Sequence, residues 1–521
     1  MIKKSINIIK NYFFKKKLKI KEFDDPTIIL SDNWSGNSIN GEQITNSKTP
    51  LKIIKNLDNF DFLRDLKSCG ILKTRPIARK IVNYWIDHNT NFFSKPFELN
   101  VMANRITIMC MTYSWYAKSG DLSFQKKVLK SIYTQLELLE TLIVKNQTLI
   151  NFKIIKALIV GNIFLFNDLI KINGFLSKLK SLSERYVLHD GGHLSRCPMI
   201  QLNVLRDILE IRSAIASNNK LNSPFIQILV RKMGNYFKIF CISKDTFCNF
   251  NSWSLIETQK VTETLKRLTG AKKNFTFAKD SGYVSILSNR LEFILDTGNK
   301  NLLSNNKNLK NKASICAFEL FYSKKKIITN IGSYYFKPNN QNNLKAISST
   351  AAHSSLSIDD RNNFDLSGHR KINYLNVKTN EDKNGYLINV IHDSYKTIFG
   401  VGHKRTTFIS KVSDELIGED ELFYFNGHGI IPKIATIRFH LNHDINPIKL
   451  QNGSLLLQNK TNNAIGKFIT SSLNTSIENT IIYESNKKFN SKQIVIVIAL
   501  DNIKSLSKII TKWSFKFGKF N

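Results

Sequence analysis

Apolar side chains recur at helical spacing through the first half of the chain. Ile77, Ile81, Tyr84 and Trp85, for example, stand three and four positions apart, which places them on one face of a helix. Similar stretches continue to about residue 268 and predict roughly eight or nine helices joined by short loops, as in an all-α domain. The later helices are expected at Lys153 to Ile170, Leu176 to Tyr186, Pro198 to Ser217, Pro224 to Phe240 and Ser254 to Leu268.

After Gly270 the apolar period becomes two, in short runs rich in β-branched and aromatic residues, which indicates strands. Many strands with short turns and no intervening helices favour an antiparallel sandwich. Two polar stretches, Asn299 to Asn311 and Asp359 to Arg370, are predicted to be exposed loops. The predicted strands are Asn274 to Phe277, Tyr283 to Leu287, Leu291 to Leu295, Ala317 to Phe321, Lys326 to Asn330, Ser354 to Ile358, Leu387 to His392, Thr406 to Val412, Lys433 to Leu441, Thr480 to Glu484 and Gln493 to Leu500.

The length and composition of the chain predict a globular protein of more than one domain. The chain has 521 residues, of which 42% are hydrophobic, and single cores stop growing well below that length. The change of period sets the predicted boundaries. We expect an N-terminal segment at 1–55, a helical domain at 56–270 and a β-sandwich domain at 271–521.

The charge of the chain predicts a polyanionic partner. The formal net charge is +36, mostly from lysine spread from end to end, and so positive a surface attracts polyanions. Nucleic acid is one polyanion, but the sequence contains no RNP-like or zinc-finger motif that would read it. An acidic polysaccharide fits the same charge, and no specific nucleic-acid partner is expected.

The cysteine pattern argues against a metal centre or a disulfide framework. The cysteines are scattered without a CxxC pair or a Cys/His cluster at metal-ligand spacing, so neither a structural zinc nor paired disulfides are expected.

Neither a signal peptide nor a membrane span is predicted. Residues 1–20 are basic, and their short apolar pieces are cut by Asn or Lys, whereas a secretory signal needs an unbroken apolar run. The longest later apolar run, Ala157 to Leu169, is interrupted by polar residues and falls short of the roughly 20 residues that cross a bilayer.

The stretch from Asp190 to Pro198 joins the helical half to the β-rich half. Gly191 and Gly192 allow backbone conformations closed to other residues, and the closing proline suits the first turn of a helix. His193 and Arg196 are therefore presented together at a helix entrance, as candidate proton-handling and anion-binding groups. The alternative is an ordinary loop in which both side chains bond to backbone carbonyls.

Several motifs in order along the chain resemble the heparinase II/III-like family. The resemblance implies an N-terminal (α/α) toroid followed by a C-terminal antiparallel β-sandwich, and it covers nearly the whole chain from about residue 50. The residues that carry it are Phe60 to Leu66, Asp190 to Met199, Ala317 to Leu320 with Asn330 to Gly332, Thr350 to Ser354, His392 to Tyr395, His403 to Arg405, and Arg438 to Leu441.

The family likeness implies β-elimination at a uronic acid within a polysaccharide. That reaction needs a group that neutralises the C6 carboxylate, a base that removes the C5 proton and an acid that protonates the leaving oxygen. Histidine, tyrosine, asparagine and arginine are natural suppliers, and neither a metal nor an organic cofactor is required.

Carried onto this chain, the resemblance implies catalytic roles for His193, His353 and Tyr395. It implies substrate-binding roles for Arg196, His403 and Arg405, and an arginine grips a carboxylate with two parallel hydrogen bonds. The alternatives are a histidine bonded within a strand turn for His353 and a half-buried sandwich aromatic for Tyr395. Arg438 and His440 are assigned a structural role.

Two departures from the family pattern stand out. The family's catalytic tyrosine position, two residues after the motif's proline, holds Ile200, and Tyr395 is the candidate replacement. The family's Asn-His helix motif has no clear match, since Asn162 is the only asparagine near the expected place.

The sequence therefore predicts a lyase that cleaves an anionic, uronic-acid-containing polysaccharide. The alternative is a non-catalytic protein that binds or helps to process such polymers after losing the catalytic tyrosine. Nucleic-acid binding rests on charge alone, and a glycosidase would need two carboxylates flanking the bond. The family resemblance favours the cell envelope or periplasm, while the missing signal favours the cytoplasm.

Overall fold

The computed structural model describes most of residues 21–518. The described part omits residues 244–245, 249, 252–256, 306–311, 333–340, 367–371, 426–429 and 485–486. The basic segment at 1–20, the start of the helix predicted at 254–268 and parts of the two predicted polar loops lie outside the described residues.

The chain begins with helices and continues with strands. The longer helices follow the predicted period closely, although the stretch predicted as Lys153 to Ile170 ends at Leu165 and a new helix starts four residues later. The α-helices up to residue 270 are Ser38–Asn46, Pro50–Ile53, Phe62–Ser68, Thr74–His88, Leu99–Tyr116, Leu122–Lys145, Phe152–Leu165, Leu169–Tyr186, Pro198–Ala216, Pro224–Lys238 and Thr258–Leu265.

Side-chain caps and apolar stripes explain why these segments are helical. Asp121 accepts a hydrogen bond from the backbone N–H of Phe124 and starts the helix Leu122–Lys145, satisfying a donor that has no partner within the helix. The next helix, Phe152–Leu165, is buried almost all round, and such a helix belongs in a protein core or a membrane. A Cβ on its Gly161 would lie 2.9 Å from a methyl group of Leu136, so this helix packs in the protein core.

The strands form two antiparallel sheets. The strands are β1 Phe275–Ala278, β2 Tyr283–Ser288, β3 Leu291–Asp296, β4 Phe318–Tyr322, β5 Lys325–Thr329, β6 Leu356–Ile358, β7 Leu375–Glu381, β8 Gly385–Tyr395, β9 Val401–Ser410, β10 Glu415–Tyr424, β11 Ile434–Leu441, β12 Ile445–Lys449, β13 Leu455–Asn459, β14 Ala464–Thr470, β15 Thr475–Glu484, β16 Lys487–Ala499 and β17 Lys508–Phe517. The first sheet runs β1-β2-β3-β4-β5-β11-β16-β15, with β6 beside β11, and the second runs β12-β13-β14-β17-β10-β9-β8-β7.

One apolar core joins the inner faces of the two sheets. It contains Phe318 and Phe439 from the first sheet and Phe468, Trp513 and Phe515 from the second. Trp513 stacks on Phe318 with ring centroids 5.7 Å apart. Side chains that alternate inward from both sheets and share one core define a β-sandwich.

Packing divides the chain into two compact units. Unit 1 takes in the chain as far as Tyr186 together with Asn203–Val230, and unit 2 takes in Val187–Leu202 together with Arg231–Asn521. The predicted domains were continuous in sequence, whereas the 190–198 stretch and the chain from residue 231 pack with the strands. The candidate residues of the 190–198 stretch and those of the strand-rich half therefore all belong to unit 2.

A buried ion network lies within unit 1. The Arg64 guanidinium contacts Asp32 at 2.9 Å and Glu210 at 2.7 Å, and the Lys156 ammonium contacts Asp207 at 2.7 Å as well as Glu210. Buried charges persist when they are paired and hydrogen-bonded in this way. The Phe60 to Leu66 motif thus contributes an arginine to the interior of unit 1.

Candidate functional site

The two glycines of the 190–198 loop allow it to pack closely within unit 2. Gly191 has φ +92, and a Cβ there would lie 2.3 Å from the carbonyl oxygen of Lys232. A Cβ on Gly192 would lie 2.9 Å from the ring of Tyr236. Asp190 ties the loop down, accepting hydrogen bonds from the backbone N–H groups of Gly192 at 2.9 Å and Ser281 at 2.7 Å.

Arg196 is held inside unit 2 by protein acceptors. Its side chain donates to the carbonyl oxygen of Ser281 at 2.6 Å and forms a salt bridge with Asp296, and only 2% of the residue is exposed. Burial alone would lower the pKa of Arg196, but the Asp296 carboxylate raises it above its ordinary value. These contacts favour a structural interpretation of Arg196 over the predicted grip on a substrate carboxylate.

His193 lies in the same loop and is half-buried. Its Nδ1 accepts a hydrogen bond from the backbone N–H of Ser195 at 3.1 Å and lies 2.9 Å from the Ser195 hydroxyl. Burial lowers the pKa of His193 to about 4. The neutral ring therefore carries its proton on Nε2, which makes His193 a hydrogen-bond donor rather than a base.

His353 follows the short 3₁₀ helix Thr350–Ala352 and is 3% exposed. Its Nδ1 lies 2.7 Å from the carbonyl oxygen of Ser349, and since a carbonyl only accepts, Nδ1 carries the proton and Nε2 keeps a lone pair. Burial, followed by the positive charge of Lys312, lowers the pKa of His353 to about 3. The ring is thus neutral and in the form that accepts a proton.

Lys312 is a buried cation that sequence reasoning missed. Its Nζ donates to the carbonyl oxygen of Gly332 at 3.2 Å, and its backbone N–H donates to Asn251 at 2.9 Å. Burial lowers the pKa of Lys312 to about 8, although the nearby Cys197 and Glu319 act in the opposite direction. Nothing in the sequence distinguishes this lysine in a chain with 76 lysines and arginines.

Backbone hydrogen bonds fix the segments around Lys312 and His353. The N–H of Ala313, next to Lys312, donates to Ser348 at 2.8 Å. The hydroxyl of Thr350 donates back to Ala313 at 3.0 Å. Lys312 lies near enough to Cys197 and to His353 to interact electrostatically with both.

Tyr395, the predicted replacement for the missing tyrosine, lies in the sandwich core and is fully enclosed. Its hydroxyl donates to the backbone carbonyl oxygen of Leu356 at 2.9 Å. A structural aromatic of the sandwich, the alternative to a catalytic tyrosine, therefore fits Tyr395 better, although the residue is fully buried rather than half-buried. Ile200, at the family's tyrosine position, is half-buried.

His403 and Arg405 also point into the sandwich, where they surround Asp420. Arg405 donates to both oxygens of that carboxylate, at 2.7 and 2.9 Å, and His403 Nε2 lies 2.7 Å from one of them. Trp513 donates to the other at 2.8 Å. Because both predicted substrate-binding side chains are enclosed and bonded to Asp420, the geometry favours a role in holding the sandwich together.

One group of three potential metal ligands occurs among the described residues. It consists of Cys316, His392 and His403, all buried, with ligand atoms within 4.8 Å of one another. The rings of His392 and His403 already contact each other through Nε2 and Nδ1 at 3.0 Å, and His403 also contacts Asp420. The scattered cysteines of the sequence did not reveal this grouping, since residues distant in the chain form it.

Arg438 and His440, expected to be structural, contact the turn that carries His353. His440 Nε2 lies 3.0 Å from the carbonyl oxygen of Ala351, and Arg438 donates to the Ser357 hydroxyl at 2.8 Å. Both contacts hold the chain on either side of His353.

Comparisons with known proteins find a matching family model and a curated relative. Residues 270–510 match the family model described as Heparinase II/III-like, C-terminal. FtsZ-localized protein C of Caulobacter vibrioides (strain NA1000 / CB15N) is 24% identical over 312 residues, which are 56% of this chain and 52% of that protein. The chain therefore matches about half the length of that curated relative.

Solved structures extend the likeness to nearly the whole chain. Heparan sulfate lyase HepC from Pedobacter heparinus aligns with a TM-score of 0.67 and 13% identity, over 99% of this chain and 89% of that one. A heparinase III structure aligns with a TM-score of 0.69 and 14% identity, over 99% and 90%. At these identities the likeness establishes the fold, and it confirms the predicted helical toroid followed by an antiparallel sandwich. None of the described helices has the length and apolar character needed to cross a membrane.

Proposed function

We propose that this chain, whose residues 270–510 match the family model Heparinase II/III-like, C-terminal, cleaves an anionic, uronic-acid-containing polysaccharide by β-elimination. The observation that carries the proposal is the state of His353. Hydrogen bonding to Ser349 fixes the proton on Nδ1, so Nε2 offers a lone pair suited to accept the C5 proton.

Each step of the proposed reaction has a candidate group. His353 takes the C5 proton, the electron pair left on C5 forms the C4–C5 double bond, and the C4–O bond breaks. The leaving oxygen takes a proton from water, and the proton held by His353 returns to solvent. The neutral His193 is the candidate donor of a hydrogen bond from its Nε2–H to that oxygen. A weakly basic imidazole is a poor proton acceptor. The charge of Lys312 contributes to the low pKa of His353, so a substrate carboxylate bound nearby would raise that pKa.

The charge of the chain supports an acidic rather than a neutral polymer. The formal net charge of +36 raises the local concentration of a polyanion near the surface and speeds its encounter. The shared fold with the heparan sulfate lyase HepC makes heparan sulfate the first candidate polymer to assay.

A second candidate function is non-catalytic binding of acidic polysaccharide. The absence of a tyrosine at the family's catalytic position, which holds Ile200, favours it. Ile200 cannot donate a proton, and the Tyr395 hydroxyl is engaged by a backbone carbonyl within the core. If no other group protonates the leaving oxygen, the protein binds the polymer but does not cleave it.

The experiment that separates these functions is an assay of purified protein against a panel of uronate polymers. Ultraviolet absorbance of the unsaturated product reports cleavage, and sedimentation or calorimetry reports binding. The lyase proposal expects product from at least one polymer. Binding without product from every polymer of the panel supports the second candidate, and neither binding nor product rejects both.

For location we propose the cell envelope, with the cytoplasm as the alternative. The support for the envelope is the family resemblance alone. Fractionation that finds all of the protein with cytosolic markers would overturn this proposal.

A further inference from the structure

We propose that Cys316, His392 and His403 form a binding site for one copper(I) ion inside the β-sandwich. The three side chains come from the segment before β4, from β8 and from β9, and their ligand atoms lie within 4.8 Å of one another. All three are enclosed, so the ion is a structural part of unit 2. The inference does not depend on the proposed cleavage of a polysaccharide.

His403 has the orientation of a metal ligand. Its Nε2 lies 2.7 Å from an oxygen of Asp420, a carboxylate that Arg405 pairs with through both oxygens. Because a carboxylate only accepts, Nε2 carries the proton, and Nδ1 presents a lone pair toward His392 Nε2, 3.0 Å away. A carboxylate behind a metal-bound histidine fixes its tautomer and orientation in the same way.

His392 also has a partner behind its ring. Its Nδ1 lies 2.8 Å from the Ser394 hydroxyl, which both donates and accepts hydrogen bonds. In the structure, His392 Nε2 donates to the lone pair of His403. When copper takes the place of that proton, the proton of His392 moves to Nδ1 and is donated to Ser394. The Cys316 thiol loses its proton to solvent, so one proton is released for each ion bound.

The backbone of Cys316 is an independent indication that its thiol has a role. Its φ of +63° lies in the left-handed region, which favours glycine and is strained for a residue with a side chain. Contacts on both sides maintain the strain. The N–H of Cys316 donates to the Asp296 carbonyl oxygen at 2.8 Å, and its own carbonyl oxygen accepts from Arg405 at 2.8 Å. Strained positions of this kind cluster at functional sites.

The number and type of ligands favour copper(I) over zinc. A structural zinc ion is almost always held by four protein ligands, whereas this group has three members among the described residues. One thiolate with two imidazoles in a trigonal arrangement is a copper ligand set. With bonds of about 2.0–2.3 Å the ligand atoms of such a site are about 3.5 Å apart. The two rings, now 3.0 Å apart, therefore separate by about 0.5 Å on binding.

The charge of the site favours the same ion. Arg405 and Asp420 form a buried salt bridge next to His403, and their charges cancel. Copper(I) with the Cys316 thiolate is also neutral, so the filled site adds no net charge to the core. Zinc would add one uncompensated positive charge beside Arg405, and a buried charge without a partner is costly.

Without an ion, the same side chains form a chain of hydrogen bonds from Ser394 through the two histidines to Asp420. That network explains the orientation of both histidines. It does not explain why a cysteine with a strained backbone converges on them. Copper binding therefore distinguishes a metal site from a hydrogen-bond network.

The test is the titration of the purified full-length chain with copper(I) under anaerobic conditions, against a chromophoric chelator that competes for the ion. Because the site is enclosed, copper is supplied during refolding from urea as well as to the folded protein. Wild type should retain one equivalent. Cys316→Ser and His392→Gln, which each remove a ligand, should bind copper more than about 100-fold more weakly, and Ser394→Ala, which removes only a partner of a ligand, about 10- to 100-fold more weakly.

The matched control is Cys241→Ser. It changes a buried cysteine of the same unit that lies outside the group, and it should retain the full equivalent. X-ray absorption of copper-loaded wild type keeps the test decisive if the ligand variants do not fold, and we expect one sulfur and two nitrogen ligands.

Three results would contradict the inference and leave a hydrogen-bond network: a wild type that yields all of its copper to the chelator, ligand variants that hold copper as tightly as wild type, or a spectrum without a sulfur ligand. Retention of zinc in place of copper, when both ions are supplied, would overturn the assignment to copper(I).

Discussion

Replacing Asp420 with asparagine decides whether His403 and Arg405 hold the sandwich together or serve the substrate. The Asp420 carboxylate receives hydrogen bonds from Arg405, His403 and Trp513, and none of these side chains is exposed. Burial would raise the pKa of Asp420, but the Arg405 charge holds it well below its usual range. The carboxylate is therefore ionised, and it is the charge that keeps Arg405 inside.

The expected cost follows from leaving Arg405 without its partner. Removing one member of a buried ion pair costs about 3–5 kcal/mol. With a urea dependence of about 3 kcal/mol per molar, the unfolding midpoint of unit 2 should fall by about 1–2 M. The matched control is Glu419→Gln on the same strand: its carboxylate is partly exposed and 3.9 Å from Lys512, and such pairs contribute about 0–1 kcal/mol.

The assay must report on unit 2 alone, because two units need not unfold together. Urea unfolding followed by hydrogen exchange of peptides from β9 and β10 meets that need. Asp420→Asn should lose protection there at lower urea than Glu419→Gln, while polymer affinity falls only as far as the folded fraction falls. An Asp420→Asn protein of wild-type stability with weakened polymer binding would refute this reasoning and restore the substrate-binding roles of His403 and Arg405.

Three other predictions follow from the same structure. Tyr395→Phe should cost about 1 kcal/mol of stability, for one lost hydrogen bond, and leave turnover unchanged; loss of turnover at wild-type stability would make Tyr395 catalytic. Burial holds the pKa of His353 at about 3 and that of His440 at about 4 in the folded protein. In the unfolded chain both histidines bind protons below about pH 6.5. The free energy of unfolding should therefore fall as the pH drops below 6.5, by about 1.4 kcal/mol per pH unit for each histidine. A urea midpoint that is the same at pH 7 and pH 5.5 contradicts those neutral states. Affinity for an acidic glycan should fall steeply with salt as screening shortens to a few ångströms near 1 M, and salt-insensitive binding of acidic and neutral polymers alike would remove the argument from charge.

The apolar period was enough to predict much of the fold. The strand predicted at Tyr283 to Leu287 is observed as β2, Tyr283–Ser288. The helix predicted to begin at Pro198 does begin at Pro198. Strands without a clean alternation were missed. Leu375–Glu381 has few apolar residues, and none of its residues is buried. Glu415–Tyr424 turns Gly418 and Asp420 inward, where the pattern expects apolar side chains. Tertiary contacts hold these strands in place.

The site was less accessible to sequence reasoning than the fold. The family resemblance, which the match of residues 270–510 confirms, singled out His353. It could not separate a buried arginine from a substrate-binding one, because the partner that encloses Arg196 is Asp296, 100 residues away. Lys312 belongs to no motif, and only the fold brings it to His353.

If His353 accepts the substrate proton, the rate of unsaturated product formation depends on it. Wild type, His353→Gln and the control His443→Gln, a histidine that packs on Phe489, are compared on the best polymer of the panel. The account predicts that His353→Gln loses activity by about 100- to 10,000-fold, the range for a lost general base, while its unfolding midpoint stays near that of wild type and His443→Gln keeps its rate. Equal rates for wild type and a folded His353→Gln would contradict the account.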